Sequence, residues 1–229
     1  MSASHQVKKS ISIVAVPALI FIAGLLWGSA QTVSLINSKQ SSKLSRVTFF
    51  NHFPVNTEFV MVGDSLTQQG IWNEMFPDVT IANRGVNGNT TSNVLNRIET
   101  IVATKAKTAL ILLGINDLHQ NISQEETLAN YKAIVEQLQE AGMEVVIQST
   151  LECAFIRCGA ELKQVRALNI ELEKYANANN IKFIDINKNM TTPKGGLKKN
   201  LTNDGIHLSG EGYYHWSKAI APIFDPAPE

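Results

Sequence analysis

From Phe59 onward the chain alternates short, continuously apolar runs with longer stretches in which apolar residues recur every three or four positions. Phe59–Val62, Val79–Ala82, Ala109–Leu113, Val145–Ile147 and Lys182–Asp185 read as five strands. Their lack of polar alternation predicts a sheet covered on both faces. Between them, Thr91–Thr104 lines up Val94, Leu95, Ile98, Ile101 and Val102 on one side of a helix. Ser123–Ala141 opens with the capping-box pattern Ser123-Gln124-Glu125-Glu126 and is followed by Gly142. Glu161–Ala178 carries Leu162, Val165, Leu168, Leu172 and Tyr175, and Ser209–Ile223 runs into a proline-rich tail. This strand–helix alternation predicts a parallel sheet in a three-layer α/β domain over residues 57–229.

The first 56 residues follow other rules. Ile11 to Gly28 contains no charged residue and is mostly apolar, long enough to cross a hydrocarbon core of ~30 Å. Lys8 and Lys9 precede it, and Gly28-Ser29-Ala30 places small residues where a signal peptidase reads. Residues 1–30 are therefore either an uncleaved membrane anchor, with Trp27 at the interface, or an export signal cleaved near Ala30. A cleaved signal puts the domain on the periplasmic or extracellular side; for an anchor, Lys8 and Lys9 favour the same side while Lys39, Lys43 and Arg46 weaken that bias. Residues 31–56 read as a polar connector whose second half, 43–53, forms a short helix.

Composition narrows the function without naming it. Apolar content of 44% and charged content of 17% mark a globular chain. Formal net charge is zero, but all acidic residues lie at or beyond Glu58, so the domain is mildly acidic and gives no support for a nucleic-acid partner. Zinc-type Cys/His spacing and a phosphate-binding glycine loop with a following lysine are both missing from the sequence, so neither metal nor cofactor is expected.

Four motifs carry the chemistry, in this order: Gly63-Asp64-Ser65-Leu66, Arg84-Gly85-Val86-Asn87-Gly88, Gly114-Ile115-Asn116-Asp117 and Asp204-Gly205-Ile206-His207. Acyl transfer through serine needs a nucleophile, a base, a group that orients the base, and donors for the oxyanion. Ser65, His207 and Asp204 fill the first three roles. The backbone N–H groups of Ser65 and Gly85 and the side-chain amide of Asn116 are the expected oxyanion donors. Ser65, Gly85 and Asn116 each follow a different strand, so all three are expected at the carboxyl edge of the sheet. Asp64 and Asp117 are expected to hold their loops through backbone N–H groups. Asn87, Asn89, His119 and Phe155 are candidate linings of the substrate pocket.

These motifs resemble those of the SGNH hydrolases, also called GDSL lipases/esterases. The serine, glycine, asparagine and histidine blocks of that superfamily match Ser65, Gly85, Asn116 and His207, and Asp204 matches its triad acid. The resemblance runs from about Pro54 to Ile223 and is similar to the compact branch holding platelet-activating-factor acetylhydrolase catalytic subunits and bacterial carbohydrate O-acetylesterases. It implies a flavodoxin-like fold with five parallel strands and no cofactor. It also implies a carboxylic ester substrate: short acyl groups on a carbohydrate or small molecule, or lipid acyl esters as in a lysophospholipase or thioesterase. A carbohydrate-binding module without turnover would not need the full catalytic set. Asn89 departs from the branch, which often has Asp there.

Cys153 and Cys158 flank four residues just after the fourth strand. In an exported domain they either close that short loop with a disulfide or remain two thiols.

Overall fold

The computed structural model describes residues 40–225 together with Thr32, Asn37 and Ser38. The apolar run of residues 11–28 lies outside them. Among the described residues no helix is long and apolar enough to cross a membrane. The chain divides into two units, and the one beginning at Arg46 carries the sheet.

Five strands form one all-parallel sheet: β1 (Phe59–Gly63), β2 (Ile81–Gly85), β3 (Thr108–Leu112), β4 (Glu144–Gln148) and β5 (Lys182–Ile184). Their order is β2-β1-β3-β4-β5, with Gly63 level with both Gly85 and Leu112. This is the flavodoxin-like order, in which the chain direction across the sheet reverses between β1 and β3 and leaves a crevice beyond their carboxyl ends.

The helices are α1 (residues 40–52), α2 (Ser65–Gln69), α3 (Trp72–Met75), α4 (Thr91–Leu95), α5 (Glu99–Val102), α6 (Ile115–His119), α7 (Gln124–Glu140), α8 (Phe155–Cys158), α9 (Leu162–Ala178) and α10 (Gly210–Ile220). Alternate strand residues serve two cores because successive side chains in a strand point to opposite faces. Val60, Val62, Ala109, Ile111, Val145 and Ile147 pack with Val94, Ile101, Tyr131, Ile134, Leu138, Leu168 and Leu172. Met61, Leu110, Leu112 and Val146 pack on the other face with Leu66, Trp72, Ile186, Trp216 and Ile220. The three layers expected from the sequence are therefore present.

Two elements differ from expectation. β2 starts at Ile81 rather than Val79 and runs through polar Asn83 and Arg84 to Gly85. The Thr80 carbonyl accepts the Phe59 N–H but its own N–H goes to the Glu58 carboxylate, and the Asn83 amide donates to the carbonyls of Thr67, Gln68 and Gly70. The single helix expected over 91–104 is broken into α4 and α5. Between them Arg97 and Ile98 make tighter i→i−3 bonds to Val94 and Leu95, and the Arg97 side chain turns into the interior.

Candidate active site

Asp64 caps α2, its Oδ1 accepting the Leu66 N–H at 2.9 Å, and this turns the chain sharply out of β1 with Ser65 as the first helical residue. The Ser65 Oγ lies 3.0 Å from His207 Nε2, and His207 Nδ1 lies 2.7 Å from Asp204 Oδ2. Residues 142 positions apart in sequence thus form a continuous serine–imidazole–carboxylate line. Asp204 Oδ1 also accepts the N–H groups of Ile206 and His207. Desolvation raises the Asp204 carboxyl, but the His207 ring and those two N–H groups outweigh it and hold the group far below the usual carboxylate range.

The loop that carries this pair is built locally. Thr202 Oγ1 donates to the His207 carbonyl and accepts the Gly205 N–H. One bond ties the loop to the segment after β4: the Ala154 N–H donates to the Gly205 carbonyl at 2.7 Å. Cys153 and Cys158, on either side of Ala154, are joined in a disulfide.

Asn116 sits in the first turn of α6, which starts from Gly114 at φ 116°. A side chain at Gly114 would be strained at that φ and would press on Leu168 and Thr150. The Asn116 Nδ2 donates to Asp64 Oδ2 at 2.9 Å and to the Asn89 carbonyl at 3.1 Å. Asp117 accepts from the Thr91 N–H and hydroxyl, fastening α6 to the start of α4. Asp64 and Asp117 thus do hold loops, and Asp64 also reaches the Asn116 side chain.

Three expectations change. The Gly85 N–H, expected to face an oxyanion, donates instead to Asn83 Oδ1 at 2.9 Å. The residue's lack of a side chain serves packing: a Cβ would collide with the backbone of Gln68 in α2. Asn89 does not line an entrance; it is buried, with Oδ1 accepting from Arg97 Nε at 2.7 Å. Phe155 is 71% exposed and lines an open groove of about 440 Å³ with Leu162, Arg166 and Ile170, a groove that does not include Ser65, Asn116 or His207. Asn87 is exposed, its N–H donating to the Gln68 side chain. His119 is exposed, with Nε2 3.5 Å from the Cys158 sulfur. His119, Cys153 and Cys158 bring three metal-type donors within 4.8 Å, but the two sulfurs are bonded to each other and have no thiolate to give.

Arg97, which belongs to none of the four motifs, also supports the site. Its Nη2 donates to the carbonyls of Gly63 and Arg84, joining the ends of β1 and β2 directly behind the site. Burial, then the nearby Arg84 and Arg46 charges, lower it to about 9. Its signal was a charged residue inside the apolar stripe Val94, Ile98, Ile101. Arg46 likewise reaches from α1 to the Gly85 carbonyl at 2.6 Å, so the connector's second half supports the same strand end.

A doubly wound sheet with a serine, imidazole and carboxylate in line at its switch point defines a class, the single-domain α/β ester hydrolases. Within it the chain belongs to the GDSL-like lipase/acylhydrolase family, a family of carboxylic ester hydrolases, whose model matches residues 61–214. The platelet-activating factor acetylhydrolase IB subunit alpha2 of Rattus norvegicus is 26% identical over 181 residues, 73% of this chain and 75% of that protein. An N-acylneuraminate cytidylyltransferase of Streptococcus agalactiae is 25% identical over 124 residues, 54% of this chain and 30% of that longer protein. The solved structure of a GDSL-like lipase from Bacteroides thetaiotaomicron superposes with a TM-score of 0.70 at 23% identity, over 79% of this chain and 96% of that one, and supports the fold.

Proposed function

We propose that this chain is a serine esterase acting through an acyl-enzyme on Ser65. The observation that carries the reading is the 3.0 Å approach of Ser65 Oγ to His207 Nε2, with Asp204 on the far ring nitrogen. His207 accepts the serine proton as the hydroxyl attacks the ester carbonyl, then returns it to the leaving alcohol. Water enters by the same base and releases the acid. Asp204 fixes the ring tautomer and stabilises the imidazolium.

The oxyanion would take the Ser65 N–H and the Asn116 amide, whose longer bond, to the Asn89 carbonyl, is the one it would displace. With the Gly85 N–H bonded to Asn83, a further backbone donor would come from the turn before Asn89. Gly88, at φ 64°, is the candidate there, with no side chain to separate its backbone from a substrate. The substrate class proposed is a short acyl ester, acetyl first, on a carbohydrate or small molecule. The relative named an acetylhydrolase supports the acetyl choice. The domain would act on the exported side of a membrane, held by residues 11–28 or released after cleavage near Ala30, a proposal resting on the sequence alone.

The test is labelling with a fluorophosphonate followed by a panel of aryl esters of increasing acyl length. Labelling of Ser65 with fastest turnover on acetyl ester supports the reading. Preference for long acyl chains would replace it with the lysophospholipase or thioesterase reading, and no labelling would remove the acyl-enzyme.

A further inference from the structure

Asp64 is wholly buried, and among the described residues no lysine or arginine forms an ion pair with it. Its two oxygens nevertheless face two donors, the Leu66 N–H on Oδ1 and Asn116 Nδ2 on Oδ2, both at 2.9 Å. The second hydrogen of the Asn116 amide goes to the Asn89 carbonyl. A carboxylate accepts at both oxygens with no hydrogen to place. A carboxylic acid keeps one good acceptor and a weaker hydroxyl oxygen that carries a hydrogen, and an amide in its place accepts at one atom and donates at the other. With Oδ1 committed to Leu66, either would set a hydrogen against the hydrogen of Asn116. Relief by a half-turn of the Asn116 amide would then aim its carbonyl oxygen at the carbonyl of Asn89, which repels it.

We propose that Asp64, in its charged form, is a positioning residue that keeps the nitrogen of the Asn116 amide turned toward the Ser65 site. The inference rests on the esterase reading above and adds a second carboxylate to it. Asp204 aligns the base, and Asp64 aligns the oxyanion donor. An oxyanion recruits the hydrogen now on Asn89, while the bond to Asp64 holds the amide plane still.

The charge is held against burial. Desolvation pushes the Asp64 carboxyl up to about 7, the Leu66 N–H and the His207 ring opposing the rise and Asp117 adding to it. The groups around Asp64 are His207 on its loop, Asp117 on α6, Arg97 on the Gly63 carbonyl, and Tyr213 of α10, whose hydroxyl donates to the Leu66 carbonyl. The sign is that of an acid with a raised pKa. Above about pH 7 Asp64 is ionised and the amide is aligned; below it the proton arrives and the alignment is lost.

The experiment uses the full chain. Asp64→Asn should lower kcat on a short-chain aryl ester by about 10–100-fold at about pH 8, with KM little changed. It should also remove one ionisation from the acid limb of the wild-type kcat profile. Unchanged kcat in a folded variant overturns the proposal while leaving the esterase reading intact; activity retained in Ser65→Ala removes that reading instead. If Asp64→Asn does not fold, side-chain amide NMR of asparagine-labelled His207→Gln decides. The Asn116 resonance, identified by its loss in an Asn116→Ser companion, should move with one midpoint near neutral pH. A resonance flat across the whole pH range in which the variant stays folded, down through the ordinary carboxylate range at about pH 4, overturns the proposal.

Discussion

The two halves of the site are built differently although they meet across 3.0 Å. The half holding Asp64, Ser65 and Asn116 grows out of β1 and β3, and its polar groups are fastened by bonds between distant segments: Asp64 to Asn116, Asn116 to Asn89, Asp117 to Thr91, Arg97 to Gly63. The half holding Asp204 and His207 is a loop whose internal side-chain bonds span two to five residues, with one backbone tie to Ala154 and side chains 49% and 35% exposed. The two aspartates show the contrast most clearly, since Asp64 is raised by burial and Asp204 is held low by local donors. On the proposed mechanism, an oxyanion side buried in the fold would face a locally assembled base partnered by Asp204. Preorganisation would be supplied by the first, and the second would need only a short loop of the right turn residues.

The largest effect tests whether the halves act as one unit. Ser65→Ala and His207→Ala should each cut turnover by roughly 10⁴–10⁶-fold, with the double variant little worse than either. Steady-state assay of the three proteins on one aryl ester checks this; multiplicative losses would mean two independent contributions. Next, Asn116→Ala should lower kcat by about 10²–10³-fold with little change in KM. A raised KM at unchanged kcat would make Asn116 a ground-state binder and dissolve the proposed division of labour.

The opposed aspartates predict opposed pH dependences of stability. The raised pKa of Asp64 costs stability that grows as pH climbs from about 4 to about 7 and is complete above that. The lowered pKa of Asp204 contributes stability that is present above about pH 4 and lost only in stronger acid. Urea unfolding should therefore show the wild type losing stability between about pH 4 and about pH 7 more steeply than Asp64→Asn does. Parallel curves would mean that Asp64 is not charged by burial-limited titration.

The smallest effect falls on the exposed half. The loop closed by Cys153–Cys158 holds Gly205 through one N–H, so Cys158→Ser should cost about 2 kcal/mol on the loop-entropy model and lower turnover modestly. Chemical denaturation and kinetics on oxidised and reduced protein read both. Turnover unaffected by reduction would show that the local bonds of the 202–208 loop suffice.

The same division explains what could be read in the sequence. Strand runs such as Leu110–Leu112 and the periodic helices α7 and α9 announce themselves, because apolar spacing alone decides them. Helices α2, α3, α6 and α8 have four or five residues, too few for a period to show; α2 is fixed by its Asp64 cap and α6 by the tertiary bonds of Asn116 and Asp117. Ser65, Asp204 and His207 were legible because local motifs carry them. The occupation of the Gly85 N–H was not, since it depends on where the Asn83 side chain points. Asn89 and Arg97 likewise look like surface residues until the fold brings them together.

The central claim is a covalent acyl group on Ser65. Rapid quenching of the enzyme with a short-chain aryl ester, followed by peptide mass spectrometry, tests it most directly. The account predicts one acyl adduct, on the peptide containing Ser65, formed in a burst and missing from Ser65→Ala. Turnover with no adduct on that peptide, or an adduct and activity that persist in Ser65→Ala, would contradict it.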